Sequence, residues 1–187
     1  MSDSVKGAVL VLGGGIAGVS AASNLSEAGF KVYLVERNLT IGGHMAQLDK
    51  TYPTNDCSLC ILAPKLVEVA RDPNVKLLTN AELTNIEGEA GNLRATILQK
   101  PRYVEATKCK SCGDCAQACP VGGIPDEFNY GLGSRHAIHI PFASAVPATY
   151  AIDPAVCLHF NYALCETCSK VCKAGAINYD MQPEEIV

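Results

Sequence analysis

The apolar and polar positions change their period several times along the chain, and each change marks an element. Val9, Leu10, Val11 and Leu12 form a continuous apolar run, the pattern of a strand buried on both faces. Glycines follow, and then a segment whose small residues Ala17, Ala21 and Ala22 let a helix lie close on a sheet. That helix should stop at Gly29, because glycine takes the left-handed cap conformation. Residues 31–36 (Lys-Val-Tyr-Leu-Val-Glu) read as a second strand. Residues 61–71 read as a helix that Asp56 or Ser58 can cap. Residues 75–79 read as a third strand of the same sheet. Residues 83–87 and 93–99, joined through Gly88, Glu89, Ala90, Gly91 and Asn92, read as a hairpin with a charged, solvated face.

Beyond residue 100 the chain repeats itself. Tyr103 and Val104 lead through Glu105 to Cys109, and Ala151 and Ile152 lead through Asp153 to Cys157. Each is a short strand, an acid, a loop and a first cysteine. The later cysteines match at an offset of 53: Cys112 with Cys165, Cys115 with Cys168, Cys119 with Cys172. Between the halves, residues 121–155 are loop-rich through Pro125, Gly131, Gly133 and Pro141, with 137–142 as a strand.

Composition narrows the class. The 187 residues suffice for one ordinary domain or a small one plus an insert. A hydrophobic content of 48% with 18% charge describes a globular chain, not a disordered one. A net charge of −4 and the absence of Trp argue against a nucleic-acid surface. The apolar run at residues 8–12 is too short for a secretory leader. The ten cysteines therefore read as thiolate ligands in a soluble, cytoplasmic metalloprotein, not as disulfides. Residues 136–152 are apolar on average, but His136, His139, Pro141 and Pro147 exclude a membrane span.

Cys109, Cys112, Cys115 and Cys119, followed by Pro120, read C-x2-C-x2-C-x3-C-P, the spacing of a bacterial ferredoxin half. Thiolate is a soft ligand suited to iron–sulfur clusters. In this motif the fourth cysteine serves the other cluster. One [4Fe-4S] cluster then takes Cys109, Cys112, Cys115 and Cys172, and the other takes Cys157, Cys165, Cys168 and Cys119. Gly113 permits the tight turn that aims N–H groups at the sulfides. Two departures stand out. Seven residues separate Cys157 from Cys165, so five extra residues, His159, Phe160 and Asn161 among them, should loop out. Lys173 also stands where the motif has proline. The competing reading is zinc. His136, His139 and His159 read as structural or exposed.

At the front of the chain, Gly13-Gly14-Gly15-Ile16-Ala17-Gly18 contains G-x-G-x-x-G directly after a strand. Gly13 permits the turn, Gly15 lets the backbone approach a pyrophosphate, and Gly18 allows helix–strand contact. The anion sits on the helix N-terminus. Glu36 lies where an acid accepts hydrogen bonds from a ribose, which disfavours a 2′-phosphate. The nucleotide should be FAD or NAD. Gly42-Gly43-His44 resembles the FAD fingerprint of the disulfide-reductase-type flavoproteins, which implies FAD. Arg37 reads equally as a phosphate contact or a solvated arginine. His44 can approach the flavin edge, although a structural histidine is the simpler reading.

Cys57-Ser58-Leu59-Cys60 stands before the helix of residues 61–71, and a helix N-terminus lowers a thiol pKa. Three readings stay open: a redox disulfide facing the flavin, two ligands of a third cluster, or ordinary buried thiols. Pro64-Lys65 just beyond resembles the disulfide reductases.

An FAD half-site, a Thr-Asn-Asp-Cys-x-x-Cys segment and a two-cluster ferredoxin in this order strongly resemble the A subunit of heterodisulfide reductase. Ile41-Gly-Gly-His-Met-Ala-Gln-Leu-Asp-Lys50 is especially close. The resemblance implies an α/β fold, with a partial Rossmann-type FAD-binding unit at 1–100 followed by an α+β two-cluster ferredoxin-like domain at 101–187. It also implies that the FAD handles electron pairs and that the clusters pass single electrons to partner subunits of a redox complex. Those partners are of the heterodisulfide reductase B and C kind, or linked to hydrogenase, formate or quinone. Disulfide chemistry belongs to another subunit, and some members bifurcate electrons. In the family the ferredoxin unit interrupts a flavin domain that then resumes. Here 15 residues follow Cys172, so the chain reads as a truncated member or as a short form relying on a partner chain. Residues 121–155 then contact the flavin domain or a partner. Two alternatives compete. An NAD(P)H-linked oxidoreductase of the glutamate-synthase small-subunit kind needs a second G-x-G-x-x-G, which the sequence lacks. A ferredoxin-like carrier needs no working nucleotide site.

Overall fold

A computed structural model of the chain describes residues 7–89 and 91–187. Residues 1–6, in which no secretory leader is expected, and Ala90 of the hairpin link lie outside the described residues. In chain order the described elements are β1 (Ala8–Leu12), α1 (Ile16–Glu27), β2 (Lys31–Glu36), α2 (Ser58–Arg71), β3 (Val75–Thr79), β4 (Ala81–Glu89), β5 (Asn92–Gln99), α3 (Asp114–Gln117), β6 (Ile124–Pro125), β7 (Ser134–Arg135), β8 (Ile138–His139), β9 (Ala151–Ile152), α4 (Leu158–Tyr162), α5 (Thr167–Val171) and β10 (Glu184–Ile186). They fall into two compact units. The first runs to Lys100 and includes Pro183–Val187, and the second is Pro101–Gln182.

The first unit is built on a parallel sheet in which β2 lies between β1 and β3. Read from β3, this is the 3-2-1 half of a doubly wound sheet. Val32 and Leu34 of β2 are fully buried, as a strand covered on both faces requires. α1 closes at the expected glycine. Gly29 has φ +88°, and the N–H groups of Gly29 and Phe30 reach the carbonyls of Ser26 and Leu25 at 2.9 and 3.0 Å. α2 begins three residues earlier than the sequence indicates and carries Pro64 inside it. An interior proline costs about 3 kcal/mol. Burying Leu62, Leu66 and Val69 of the same helix at about 1.5–3 kcal/mol each offsets it.

Residues 183–187, which the sequence assigns to the second domain, belong to the first. β10 pairs antiparallel with β5, Ile186 opposite Ile97, and extends the β4–β5 hairpin to three strands. Ile186 packs on the buried group Val35, Leu78, Ala81 and Ile97. An apolar residue that finds a partly built core stays with it.

In the second unit Val104, Ala137, Ile138, Ile152 and Ala176 form one buried cluster with Cys115, Cys157 and Cys168. Thiols thus occupy core positions. Each half's opening strand pairs with a segment beyond the other: Val104 bridges Ile177, and Ile152 pairs with Ile138. The strand expected at 137–142 shortens to the two residues of β8.

Within the insert at 121–155 one arginine ties two acids together. Arg135 donates from Nε and Nη2 to the two oxygens of Glu127, each at 2.7 Å, and from Nη2 to Asp153 at 2.8 Å. Its side chain is 9% exposed, whereas that of Glu127 is 71% exposed. The guanidinium holds the Glu127 carboxyl down at about 2. A depressed carboxylate adds stability that is complete above its unfolded value and is lost as pH falls toward 2. Because water screens Glu127, Glu127→Gln should cost within about 1 kcal/mol at pH 7. Arg135→Met also strips the partner of Asp153 and should cost about 2–3 kcal/mol. Denaturant unfolding of both variants measures the contrast.

Candidate functional site

The nucleotide cradle forms where β1, α1 and the end of β2 meet. Gly13 turns the chain with φ +99°, and its N–H reaches Val35 O at 2.8 Å. Gly15 is the N-cap of α1, and no side chain caps the helix or places an acid in its first turn. Such a terminus presents N–H groups and partial positive charge to an anion. Ile16 and Ala17 supply that first turn.

The glycines answer different demands. A Cβ on Gly18 would stand 1.8 Å from the Gly13 carbonyl oxygen. One on Gly14 would meet Ile41 at 2.3 Å. One on Gly15 would meet nothing within 4 Å. Gly18 and Gly14 therefore serve the protein's own packing, and Gly15 faces open space, the place where a bound phosphate would come against backbone. A second glycine stretch closes on the first: Gly42 N–H donates to Gly14 O at 2.7 Å, and a Cβ on Gly43 would lie 2.9 Å from Gly15 Cα. These features fit a dinucleotide such as FAD.

Glu36 does more than the sequence suggests. It is 5% exposed, and its carboxylate accepts the Gly14 N–H at 2.6 Å and the Asn38 N–H at 2.8 Å. It ties the glycine turn to the end of β2. A carboxylate has about four lone-pair sites, so capacity remains for a ribose hydroxyl. Arg37 and His44 are both exposed, and His44 Nδ1 lies 2.8 Å from Gln47 Oε1.

Contrary to the expectation that all ten cysteines are ligands and not disulfides, Cys57 and Cys60 are joined as a disulfide with their Cα atoms 5.2 Å apart, and the other eight are free. Neither Asp56 nor Ser58 caps α2. Cys57 is the N-cap, its Sγ accepting the Cys60 N–H at 3.2 Å. Both cysteines are exposed, unlike ordinary buried thiols. Ser58, the first helical residue, is fully buried, and its Oγ finds no partner.

In the second unit one cavity is lined by Cys119, Cys157, Cys165 and Cys168 together with Tyr179, Val121, Ile138, Ile152 and Leu158. These four thiols are the set that the exchange of fourth cysteines groups. α5 presents Cys168, Cys157 caps α4, and Cys119 arrives from the other half. Burial pushes the Cys168 thiol up, the Tyr179 hydroxyl opposes that shift, and the nearby Cys157 and Cys119 thiols reinforce it. Burial likewise pushes Cys115 up to about 12, with Cys109 and Cys112 beside it adding to the shift. The hydroxyl and backbone N–H of Thr167 draw Cys165 down. Thiols crowded in an apolar setting resist ionising unless a cation neutralises them, and a coordinating metal does so outright. Cys172 ends α5, its Sγ accepting the Ala176 N–H at 3.3 Å. It packs on the same buried cluster as Cys109. Gly113, at φ +87°, is the N-cap of α3, and a Cβ there would lie 3.2 Å from the Tyr150 hydroxyl. Among the described residues no three His, Cys, Asp or Glu side chains converge as on a single ion. The thiolates of a cubane each approach a different iron.

The residues between Cys157 and Cys165 do not simply loop out. Five of the seven, Leu158–Tyr162, form α4, and His159 is half-buried and stacked on Tyr179. Tyr179 and Tyr150, both beside cysteines, carry no sequence signal. The repeat offset pairs Tyr179 with Asp126 and so hides it. His136 and His139 are half-buried as structural residues, with Nδ1 enclosed.

Comparison with known proteins divides the chain the same way. Residues 11–73 match the family described as NAD(P)-binding Rossmann-like domain, and residues 102–124 match the 4Fe-4S binding domain. Over 177 residues the chain is 55% identical to the iron-sulfur A subunit of the CoB–CoM heterodisulfide reductase of Methanocaldococcus jannaschii, a match covering 95% of this chain and 26% of that protein. It is 45% identical over 183 residues to the A subunit of the H(2):CoB-CoM heterodisulfide,ferredoxin reductase of Methanothermobacter marburgensis, covering 98% and 27%. Among solved structures, L-proline dehydrogenase from P. horikoshii aligns with a TM-score of 0.41 at 22% identity, over 48% of this chain and 19% of that one. The chain spans about a quarter of the length of the curated relatives it matches.

Proposed function

The chain belongs to the A-subunit family of heterodisulfide reductases, and from that premise we propose that it is the flavin- and cluster-bearing part of an oxidoreductase complex. When bound, FAD supplies two-electron chemistry and two [4Fe-4S] clusters supply one-electron steps. Gly15 and the N–H groups of Ile16 and Ala17 in the first turn of α1 hold the pyrophosphate, and Gly13, Gly14 and Gly18 shape the turn that presents them. Glu36 takes the ribose. Gly42 and Gly43 keep the backbone low enough for the dinucleotide to lie across it, and Arg37 and His44 flank it. Cys109, Cys112, Cys115 and Cys172 hold one cluster, and Cys157, Cys165, Cys168 and Cys119 the other. The observation that carries this reading is the cavity on which Cys119 joins three cysteines of the opposite half.

The partners are other subunits of a redox complex. The names of the relatives couple heterodisulfide to hydrogen, formate or ferredoxin, and the electrons of this chain serve a reaction of that class. No helix among the described residues is long and apolar enough to cross a membrane, which is compatible with a cytoplasmic complex.

Anaerobic reconstitution should yield about eight irons with matching acid-labile sulfide per chain, and titration with FAD should saturate at one per chain. Stoichiometric zinc without labile sulfide would overturn the cluster assignment. Intact clusters with no flavin uptake would leave a ferredoxin-like carrier.

Cys57 and Cys60 are assigned as a redox pair instead of ligands to a third cluster. The support is their joined, exposed position at the N-terminus of the 14-residue α2. After mild reduction, iodoacetamide at pH 7 should label one of the two about tenfold faster than the other, because a helix N-terminus favours the thiolate. Peptide mass spectrometry reads the ratio, and equal slow labelling would return the pair to a structural role.

A further inference from the structure

The second cluster motif is wider than the first by five residues, with seven between Cys157 and Cys165 where two are usual. Those residues are ordered around their neighbours. Asn161 Nδ2 of α4 donates to the carbonyls of Cys157, Pro154 and Ala155 at 2.9, 3.1 and 3.2 Å, which pins the helix to the loop before it. His159 Nδ1 lies 3.0 Å from the Cys165 carbonyl oxygen. A carbonyl only accepts, so Nδ1 carries the proton. The imidazole then lies flat on Tyr179, with ring centroids 3.7 Å apart at 15°. Phe160 abuts the same tyrosine edge-on at 5.9 Å. Held between them, the Tyr179 hydroxyl stands 3.1 Å from Cys168 Sγ, on the wall of the cavity lined by the four cysteines.

We propose that the added residues are a potential-setting element, in which His159 positions the Tyr179 hydroxyl as a hydrogen-bond donor to the Cys168 ligand. The inference rests on the cluster assignment made above. A ligand thiolate has no proton, so the tyrosine must donate. An incoming electron adds charge to the cluster and its sulfurs, and a donor at sulfur stabilises the reduced form more than the oxidised one. The cluster of Cys157, Cys165, Cys168 and Cys119 is thereby raised in potential relative to the same cluster without the hydroxyl. The insertion distinguishes the two halves chemically as well as sterically, because the first motif has no room for an equivalent helix between Cys109 and Cys112.

The test is an EPR-monitored redox titration of the full reconstituted chain. Tyr179→Phe should lower the reduction equilibrium constant of one cluster by about threefold to tenfold, tenfold being 59 mV for one electron, and leave the other cluster in place. His159→Ala, which removes no contact to a ligand sulfur, should shift the same cluster in the same direction by less. In the Tyr179→Phe background His159→Ala should add almost nothing, since it acts through the hydroxyl. Where Tyr179→Phe fails to hold iron, the His159→Ala titration decides. The proposal is overturned if both potentials stay put in His159→Ala and Tyr179→Phe, if both clusters move together, or if the two substitutions add fully. Absence of two cluster signals in the unsubstituted chain would instead remove the assignment on which it rests.

Discussion

Cys119→Ser is expected to empty the cluster of the half to which Cys119 does not belong. Iron should fall from about eight to about four per chain. The signal that disappears should be the one displaced by Tyr179→Phe, while the signal of Cys109, Cys112 and Cys115 persists. The reason lies in the strand exchange of the second unit. Val104 bridges Ile177 and Ile152 pairs with Ile138, so the chain leaving each motif runs beside the other half and delivers its last cysteine there. Cys119 lines the cavity with Cys157, Cys165 and Cys168. A serine oxygen is a harder and weaker ligand for this iron than thiolate, and apart from the Tyr179 hydroxyl and the remaining thiols the cavity wall is apolar. Cys172→Ser is the reciprocal test and should empty the other cluster. If Cys119→Ser removed the signal of its own segment instead, the exchanged arrangement would be wrong. Iron analysis and EPR on the two variants side by side separate these outcomes.

How much of this is legible in the sequence follows from how local each feature is. The glycine turn and the cap at Gly29 are set by a few consecutive residues, and each reads correctly from those residues; the first cysteine set is equally local and falls within the matched 4Fe-4S binding domain. The repeat is legible because both copies keep their spacing after Cys112 and Cys165. Features made by distant contacts are not. β10 reads as a tail of the ferredoxin unit because nothing in Glu184-Glu185-Ile186 names its partner, whereas Ile97 and Val35, some ninety residues or more away, supply the apolar seat. The five added residues read as a loop because Leu158–Tyr162 is too short to show a helical period. Asn161 and the His159–Tyr179 stack fix it, and both are tertiary. The sequence offers Asp56 or Ser58 as the cap of α2, yet the sulfur of Cys57 takes that place. Glu36 reads as reaching outward to a ligand. In the structure it first holds the turn that would receive that ligand.

That double duty of the cradle leads to the prediction with the widest separation between two nearly identical substitutions. Gly18→Ala should damage the chain with or without nucleotide, since its methyl would stand 1.8 Å from the Gly13 carbonyl and α1 would have to lift from the turn. Overpacking of this kind costs about 1–3 kcal/mol or more, and the thermal midpoint of the flavin-free chain should fall accordingly. Gly15→Ala should leave that midpoint unchanged. Its backbone is extended, with φ −71° and ψ 178°, a conformation alanine adopts freely, and its methyl would touch nothing. The methyl would, however, occupy the space in which the backbone must approach a pyrophosphate. FAD affinity should therefore drop roughly a hundredfold, about 2.7 kcal/mol, in a protein that is otherwise as stable as before. Flavin fluorescence titration beside a melting curve measures both quantities. A Gly15→Ala chain that bound FAD normally would remove the glycine turn from the nucleotide site. One that melted early would mean that Gly15 serves the fold as Gly18 does.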